Sequence, residues 1–202
     1  MDIIINYINN HINIIEILTS IIGILYVIFM IQEKYYAYIF SFIGSILLSL
    51  VYLNSKIYLQ GLINLLYIFI SIIGYFSWYS RKKKKNSYKI SSLGFKNNFY
   101  LIFIFIIISL LFRFILVNFL SYSSIETAYL DSFLFIFSLF ATYLQYKKIF
   151  ENWIYWIIIN SIYAYLCFNN QLYYIMILAI IYTILSIRGY IKWKIKLFIT
   201  YK

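Results

Sequence analysis

Trp153, Trp156 and Asn160 stand at i, i+3 and i+7 in ENWIYWIIIN (151–160), a stretch whose one charge, Glu151, opens it. On a helix that spacing puts all three on one face. Two indoles and an amide offer binding. They suit a flat aromatic ligand, and for a cationic one the attraction is on the order of 1–2 kcal/mol once desolvated. An unpaired amide in apolar surroundings is costly, so Asn160 requires a partner, either a ligand or another helix. Asn64 supplies a second polar wall, and Gln60, one helical turn earlier, reaches the same cavity or the outer interface. The competing assignments are structural. Trp153 fits an interfacial aromatic belt, and Asn160 and Asn64 could tie helices together at about 0.6 kcal/mol per bond. A polar residue near a membrane midplane is a functional candidate by default, which favours the pair Trp156 and Asn160.

The elements that hold these residues are membrane helices. The chain has 202 residues, 64% hydrophobic and 11% charged. Soluble domains average about 25% charged, so this composition cannot coat a globule but suits a bilayer. Spans need about 20 mostly apolar residues. Seven are predicted, at 14–32, 36–53, 57–79, 99–120, 128–146, 150–168 and 171–193. The fold class is all-α integral membrane, one transmembrane domain over 1–202. Repeat 1 covers 14–79, a basic loop 80–98, a linker helix 99–120 and repeat 2 128–193. Asn160 then lies about 15 Å into its helix, near the middle of a core about 30 Å thick. The 24 Tyr and 19 Phe accompany an excess of Ile, Asn and Lys, all with AT-rich codons, so a single Tyr carries little information.

Cations orient the chain. The 80–98 loop holds Arg81, Lys82, Lys83, Lys84, Lys85, Lys89 and Lys96 without an acid. Arg188, Lys192, Lys194, Lys196 and Lys202 cluster at the C-terminal end, with Lys147, Lys148 and Lys34 in other loops. With seven spans all of these fall on one side. The other side has Lys56 alone, with the acids Asp2, Glu16, Glu126 and Asp131. The expected arrangement is a bacterial inner-membrane protein with its N-terminus outside and its C-terminus in the cytoplasm. The basic loop is read as a topology anchor and not as a nucleic-acid patch. The start MDIIINYINN lacks a basic region before its apolar run and does not resemble a cleaved signal peptide.

The two triplets repeat. Residues 67–78, YIFISIIGYFSW, align with 182–193, YTILSIRGYIKW, at an offset of 115. The same offset pairs Tyr58 with Tyr173 and Glu16 with Asp131. It spans four helices, an even number, so the triplets face the same way and the fourth helix inverts the chain between them. Parallel repeats are a transporter architecture whose sites lie near the midplane between the repeats. Asn64 pairs with Ala179, so its polarity is not a symmetric structural device.

The remaining polar residues are read as structural. Glu151 and Asn152 match a helix start, where acid and cap residues are favoured; Glu16 and Asp131 do the same, or concentrate a cation at an outer mouth. Arg113, inside a span, snorkels outward or pairs with Asp131 or Glu126. Gly74 and Gly189 allow close helix approach, and with no proline any hinge uses glycines, Gly23 and Gly44 included, or loops. One cysteine, Cys167, and one histidine, His11, exclude a disulfide framework and leave no metal ligand set. No Walker pattern occurs, and no cofactor is expected.

ENWIYWIIIN resembles the signature segment of the PnuC family of vitamin transporters. The closing Ile187-Arg-Gly-Tyr-Ile-Lys-Trp-Lys194, the stretch IYLQGLINLLYIFISIIGYFSW (57–78) and LDSFLFIFSLFATYLQYKKIFENW (130–153) are similar to that family too. The resemblance covers residues 14–195. It implies a seven-helix, SWEET-like 3+1+3 fold, often a homotrimer. It also implies facilitated diffusion of a vitamin precursor that a cytoplasmic kinase or pyrophosphokinase then traps. Nicotinamide riboside is the expected substrate. The implied substrate contacts are Trp153, Trp156, Asn160 and Asn64. Nicotinamide riboside carriers are expected to have Gln at position 64; Asn there resembles the thiamine branch. Tyr75 stands where many members have Trp. Both vitamins are flat cationic heteroaromatics, which the indoles do not distinguish.

Two other classes fit less of the sequence. A substrate-binding membrane subunit of an ATP-driven vitamin importer has similar size and aromatic content, but the triplet repeat and odd span count disfavour it. A membrane enzyme or proton pathway needs positioned titratable groups, and the midplane offers Asn and Trp instead.

Overall fold

The computed structural model describes residues 2–54, 58–83, 89–119, 125–169 and 173–200. Side chains are described from residue 14 onward, with those of Glu16, Asn54, Tyr58, Phe119, Glu126 and Tyr174 among the exceptions. The expectations for Asp2, Glu16, Lys56, Lys84, Lys85, Glu126 and Lys202 therefore lie outside the described side chains. The described residues form seven helices: α1 Asp2–Ile31, α2 Ala37–Asn54, α3 Tyr58–Lys83, α4 Phe95–Phe119, α5 Ile125–Tyr146, α6 Asn152–Asn169 and α7 Tyr173–Thr200.

Helix ends run past the apolar windows where polar residues favour it. The helix α3 continues through Arg81, Lys82 and Lys83 in its last turn, where cations complement the negative end of the helix dipole. Among the described residues four helices are long and apolar enough to cross a membrane by length and composition: Leu59–Lys83, Phe95–Asn118, Ala128–Tyr146 and Ile175–Ile199. Ile17–Ile31 and Ala37–Leu53 are shorter apolar helices. The helix α6 has 18 residues, about 27 Å at 1.5 Å each, and includes Asn152, Asn160 and Asn169. Large apolar side chains face outward along the helices, with Phe69, Phe103, Leu111 and Ile184 each about 60% exposed or more. Patches of that size are unstable in water and match lipid; this is a multi-pass membrane protein.

The chain divides into two compact units, Met1–Ser87 and Tyr88–Lys202. In the first, α2 packs against α1 and α3. In the second, α6 packs against α5 and α7, and α4 against α5. The second unit's core joins Leu134, Phe137, Phe140, Ala141 and Leu144 of α5 to Tyr155 and Ile159 of α6. Phe105 of α4 stacks on Phe140 with centroids 4.1 Å apart.

Internal geometry recurs at the offset of 115. The turn after α1 closes with the Glu33 N–H on the Met30 carbonyl at 2.9 Å and the Lys34 N–H on Phe29 at 3.0 Å. The turn after α5 closes with Lys148 on Gln145 at 3.0 Å and Ile149 on Leu144 at 2.9 Å. Both are Schellman closures, and both put a non-glycine residue in the left-handed region, Glu33 at φ 57° and Lys148 at φ 58°. Each such residue costs roughly 1–2 kcal/mol. That the same strain appears twice at matched positions marks a shared backbone plan. Packing matches too. Tyr38 lies edge-on to Trp78 at 5.3 Å and 88°, and Trp153 lies edge-on to Trp193 at 5.4 Å and 89°. A Cβ on Gly74 would overlap the Tyr38 ring, and one on Gly189 would sit 2.6–2.7 Å from Trp153 ring carbons. Tyr35 meets Tyr75 at 5.5 Å, and Phe150 meets Tyr190 at 5.6 Å. Each aromatic at the start of the middle helix is thus a knob seated on a glycine of the third.

Candidate functional site

The helix α6 carries three of the five candidate residues. Trp153 enters its first turn and is 1% exposed. Gly189 lets α7 approach until the indole is covered, and Trp193 closes its edge. Its Nε1–H is buried without an acceptor among the described residues. Trp153 thus fixes α6 to α7. Trp156, one turn on, is half-buried against the α5–α6 core, and its Nε1–H is likewise buried without an acceptor among the described residues. Asn160 is also half-buried, a further turn along the same face. Trp156 and Asn160 can offer a ring, two kinds of donor and an acceptor on one stripe.

Gln60 and Asn64 lie on α3, in the other unit. Asn64 is buried and donates its Nδ2 to the Gln60 carbonyl at 2.8 Å. The amide thereby satisfies a donor within its own helix and keeps its oxygen for another partner. Gln60 is half-buried.

At the start of α6 the structure departs from simple capping. The Glu151 carbonyl accepts the Ile154 N–H at 2.9 Å, as the first helical bond requires. Its carboxylate turns instead to the segment before α4, where Oε1 accepts the Ser92 hydroxyl at 2.5 Å and the Leu93 N–H at 3.0 Å. Asn152 donates its Nδ2 to the Ile149 carbonyl at 2.6 Å. The same segment pairs with the α5–α6 turn as a short bridge: Ser91 N–H to the Lys148 carbonyl at 3.1 Å and Phe150 N–H to the Ser91 carbonyl at 3.0 Å. Tyr155 donates its hydroxyl to Asn98 Oδ1 at the head of α4. Gly94 lets the chain turn from this strap into α4 at φ 75°, a conformation that glycine adopts without steric cost.

Arg113 lies over the Tyr129 ring, 3.9 Å from its centroid. The Glu126 side chain is outside the described residues. The strap carries no signal of its own in the sequence, because Ser91, Ser92 and Leu93 look like any short linker. Tyr38 was equally hidden among many tyrosines.

The five candidate side chains carry no charge, and none is an acid, base or nucleophile suited to covalent chemistry. Among the described residues no group of three or more His, Cys, Asp or Glu could hold a metal. These side chains offer ring faces, hydrogen-bond donors and hydrogen-bond acceptors.

Comparisons with known proteins agree with a transport fold. No curated protein matches the sequence. The chain resembles a solved structure described as the crystal structure of the vitamin B3 transporter PnuC, with TM-score 0.68 and 22% identity over 89% of this chain and 80% of that one. The model of the nicotinamide mononucleotide transporter family matches residues 13–195. A match across nearly all seven helices settles the family: this chain belongs to the nicotinamide mononucleotide transporters, the PnuC family of membrane transporters.

Proposed function

We propose that this chain is a facilitative carrier, a uniporter, that imports nicotinamide riboside across a bacterial inner membrane. The observation that carries the reading is the half-buried pair Trp156 and Asn160 on one face of α6, in a member of this family. Trp153 backs that stripe against α7, and Gln60 and Asn64 are the contacts offered by α3. Nicotinamide riboside presents a flat cationic ring to the indoles and hydroxyls to the amides. The family description names the mononucleotide, but none of the five residues could balance a phosphate, which favours the nucleoside. Uncharged walls also fit a carrier that moves its substrate down a gradient, with a cytoplasmic kinase trapping the product. The proposed arrangement is one transport domain, 1–202, in SWEET-like 3+1+3 order, with repeats 14–79 and 128–193, the N-terminus outside and the C-terminus in the cytoplasm. A homotrimer is the proposed assembly. Thiamine is the second reading, favoured by the short amide of Asn64.

The test is a thermal-shift panel of purified protein with nicotinamide riboside, nicotinamide, thiamine and riboflavin. At 100 times its dissociation constant a true ligand stabilises by about 2.7 kcal/mol. Nicotinamide riboside should stand out, and uptake into vesicles should saturate without ATP or an ion gradient. A shift with thiamine alone selects the second reading. Uptake that requires a separate ATPase, or that collapses with an uncoupler, refutes the carrier.

A further inference from the structure

The two triplets share their turns bond for bond, but one feature belongs to the second alone. At the offset of 115 Glu151 corresponds to Tyr36. The α1–α2 turn closes with the same backbone bonds although the position matching Glu151 holds a tyrosine. A carboxylate at that helix-start position is therefore not needed to build such a turn. Yet Glu151 is 5% exposed, one of its oxygens takes two hydrogen bonds, and the other is buried without a donor among the described residues. Burying a carboxylate on these terms is unfavourable, so the turn alone does not account for it.

Its bonds tie the first residues of α6 to the strap at 91–93, and the Ser91 bridge ties the same strap to the α5–α6 turn. Tyr155 adds a third tie, to Asn98. The strap leads directly into α4, which packs on α5. The start of α6 is thus tied to the segment leading into α4 and to the α5–α6 turn, in addition to its contact with Gly189 of α7. Trp153 and Trp156 follow Glu151 by two and five residues, within the first two helical turns. We infer that Glu151 is a positioning residue for transport: its carboxylate latches the 91–93 strap and so sets the rotation and height of the Trp156–Asn160 stripe, without touching the substrate. This rests on the carrier reading above.

The experiment measures nicotinamide riboside and thiamine binding by calorimetry, and uptake kinetics in vesicles, for the wild type, Glu151→Ala, Glu151→Gln and Ser92→Ala. Glu151→Gln keeps an acceptor for Ser92 and Leu93 and should bind within about twofold of wild type. Glu151→Ala should weaken binding about tenfold and raise KM by the same factor. Ser92→Ala, at an exposed residue, should weaken binding about threefold while the protein without ligand stays folded. If Glu151→Ala does not fold, the other two variants decide. Unchanged affinity in Ser92→Ala and in the folded fraction of Glu151→Ala would overturn the latch and make Glu151 a stability element only. Loss in Glu151→Gln as large as in Glu151→Ala would overturn it as well, because charge and not the strap would then matter. A wild type that binds neither vitamin overturns the carrier reading and this one with it.

Discussion

Replacing Gly189 with alanine tests whether the Trp153 wedge sets the proposed substrate stripe of Trp156 and Asn160. The new Cβ would lie 2.6–2.7 Å from three Trp153 ring carbons, whereas carbon atoms rest about 3.5–4.0 Å apart. The indole must retreat by roughly 1 Å. Overpacking of that kind costs about 1–3 kcal/mol, and losing the edge-on contact with Trp193 costs about 0.5–1.5 kcal/mol more. The sum is about 1.5–4.5 kcal/mol, or roughly 3–18 °C in melting temperature for a chain of this size. Gly74→Ala delivers the same insult to Tyr38 in the first unit and should destabilise comparably. The two should differ in binding. Trp153 shares α6 with Trp156 and Asn160, so Gly189→Ala should also weaken ligand binding about tenfold, near 1.4 kcal/mol. Gly74→Ala should leave affinity within about twofold. Melting and binding in nanodiscs read both effects. Equal affinity losses in the two variants, or a Gly189→Ala cost below about 0.5 kcal/mol, would refute the reasoning. Trp153→Phe in the Gly189→Ala background should recover part of the stability, since the smaller ring clears the new methyl.

Other outcomes follow from the same geometry. Trp156→Leu keeps much of the side-chain bulk, so the ligand-free protein should lose less than about 1.5 kcal/mol while the ligand-induced thermal shift disappears; a retained shift removes Trp156 from the site. Asn64→Leu breaks a bond within one helix and should change stability by only about 0.6 kcal/mol while weakening binding; unchanged binding makes Asn64 structural. A double-mutant cycle on Arg113→Met and Tyr129→Leu should report about 0.5–2 kcal/mol of coupling, and a null result dissolves that pair. In a Cys167→Ser background, Lys147→Cys should react with impermeant thiol reagents only from the cytoplasmic face and Lys56→Cys only from outside; the reverse pattern inverts the topology.

The seven helices were legible in the sequence because apolar run length reports helices in a membrane chain directly. Their ends were less so: α1 begins at Asp2, and α7 runs to Thr200, since a helix leaving the bilayer needs no apolar residues. The repeat was visible where Gly and Trp, rare here, coincide at 74/189 and 78/193. It was invisible at 38/153, where Tyr replaces Trp, and at 33/148, where Glu replaces Lys. Those pairs share backbone conformation and packing role, which residue identity does not encode. The Glu151 latch was hidden for a different reason. Its partners lie 58 and 59 residues away, at Leu93 and Ser92, and a carboxylate at a helix start already has an ordinary local explanation.

The repeat also sorts the candidate residues by what symmetry preserves. Framework positions keep their role in both units: the left-handed turn residues, the aromatic knobs Tyr38 and Trp153, the glycines under them, and the pairs Tyr35–Tyr75 and Phe150–Tyr190. The candidate ligand positions do not. Trp156 corresponds to Ser41, which accepts a hydrogen bond from Ser71 at 2.7 Å and is consumed in helix packing. Asn160 corresponds to Ser45, which is buried, and Asn64 and Gln60 to Ala179 and Ile175. A fold built twice from one plan needs its framework twice, whereas positions outside the framework are free to diverge. Symmetry is broken at Trp156, Asn160, Asn64 and Gln60, inside a scaffold that otherwise repeats within tenths of an ångström in its turn bonds, which accords with the substrate contacts proposed above. Restoring the symmetry by Trp156→Ser with Asn160→Ser should therefore abolish binding of every vitamin in the panel while leaving the α5–α6 turn and the Trp153 wedge in place. A doubly substituted protein that still binds would show that the asymmetry serves packing alone.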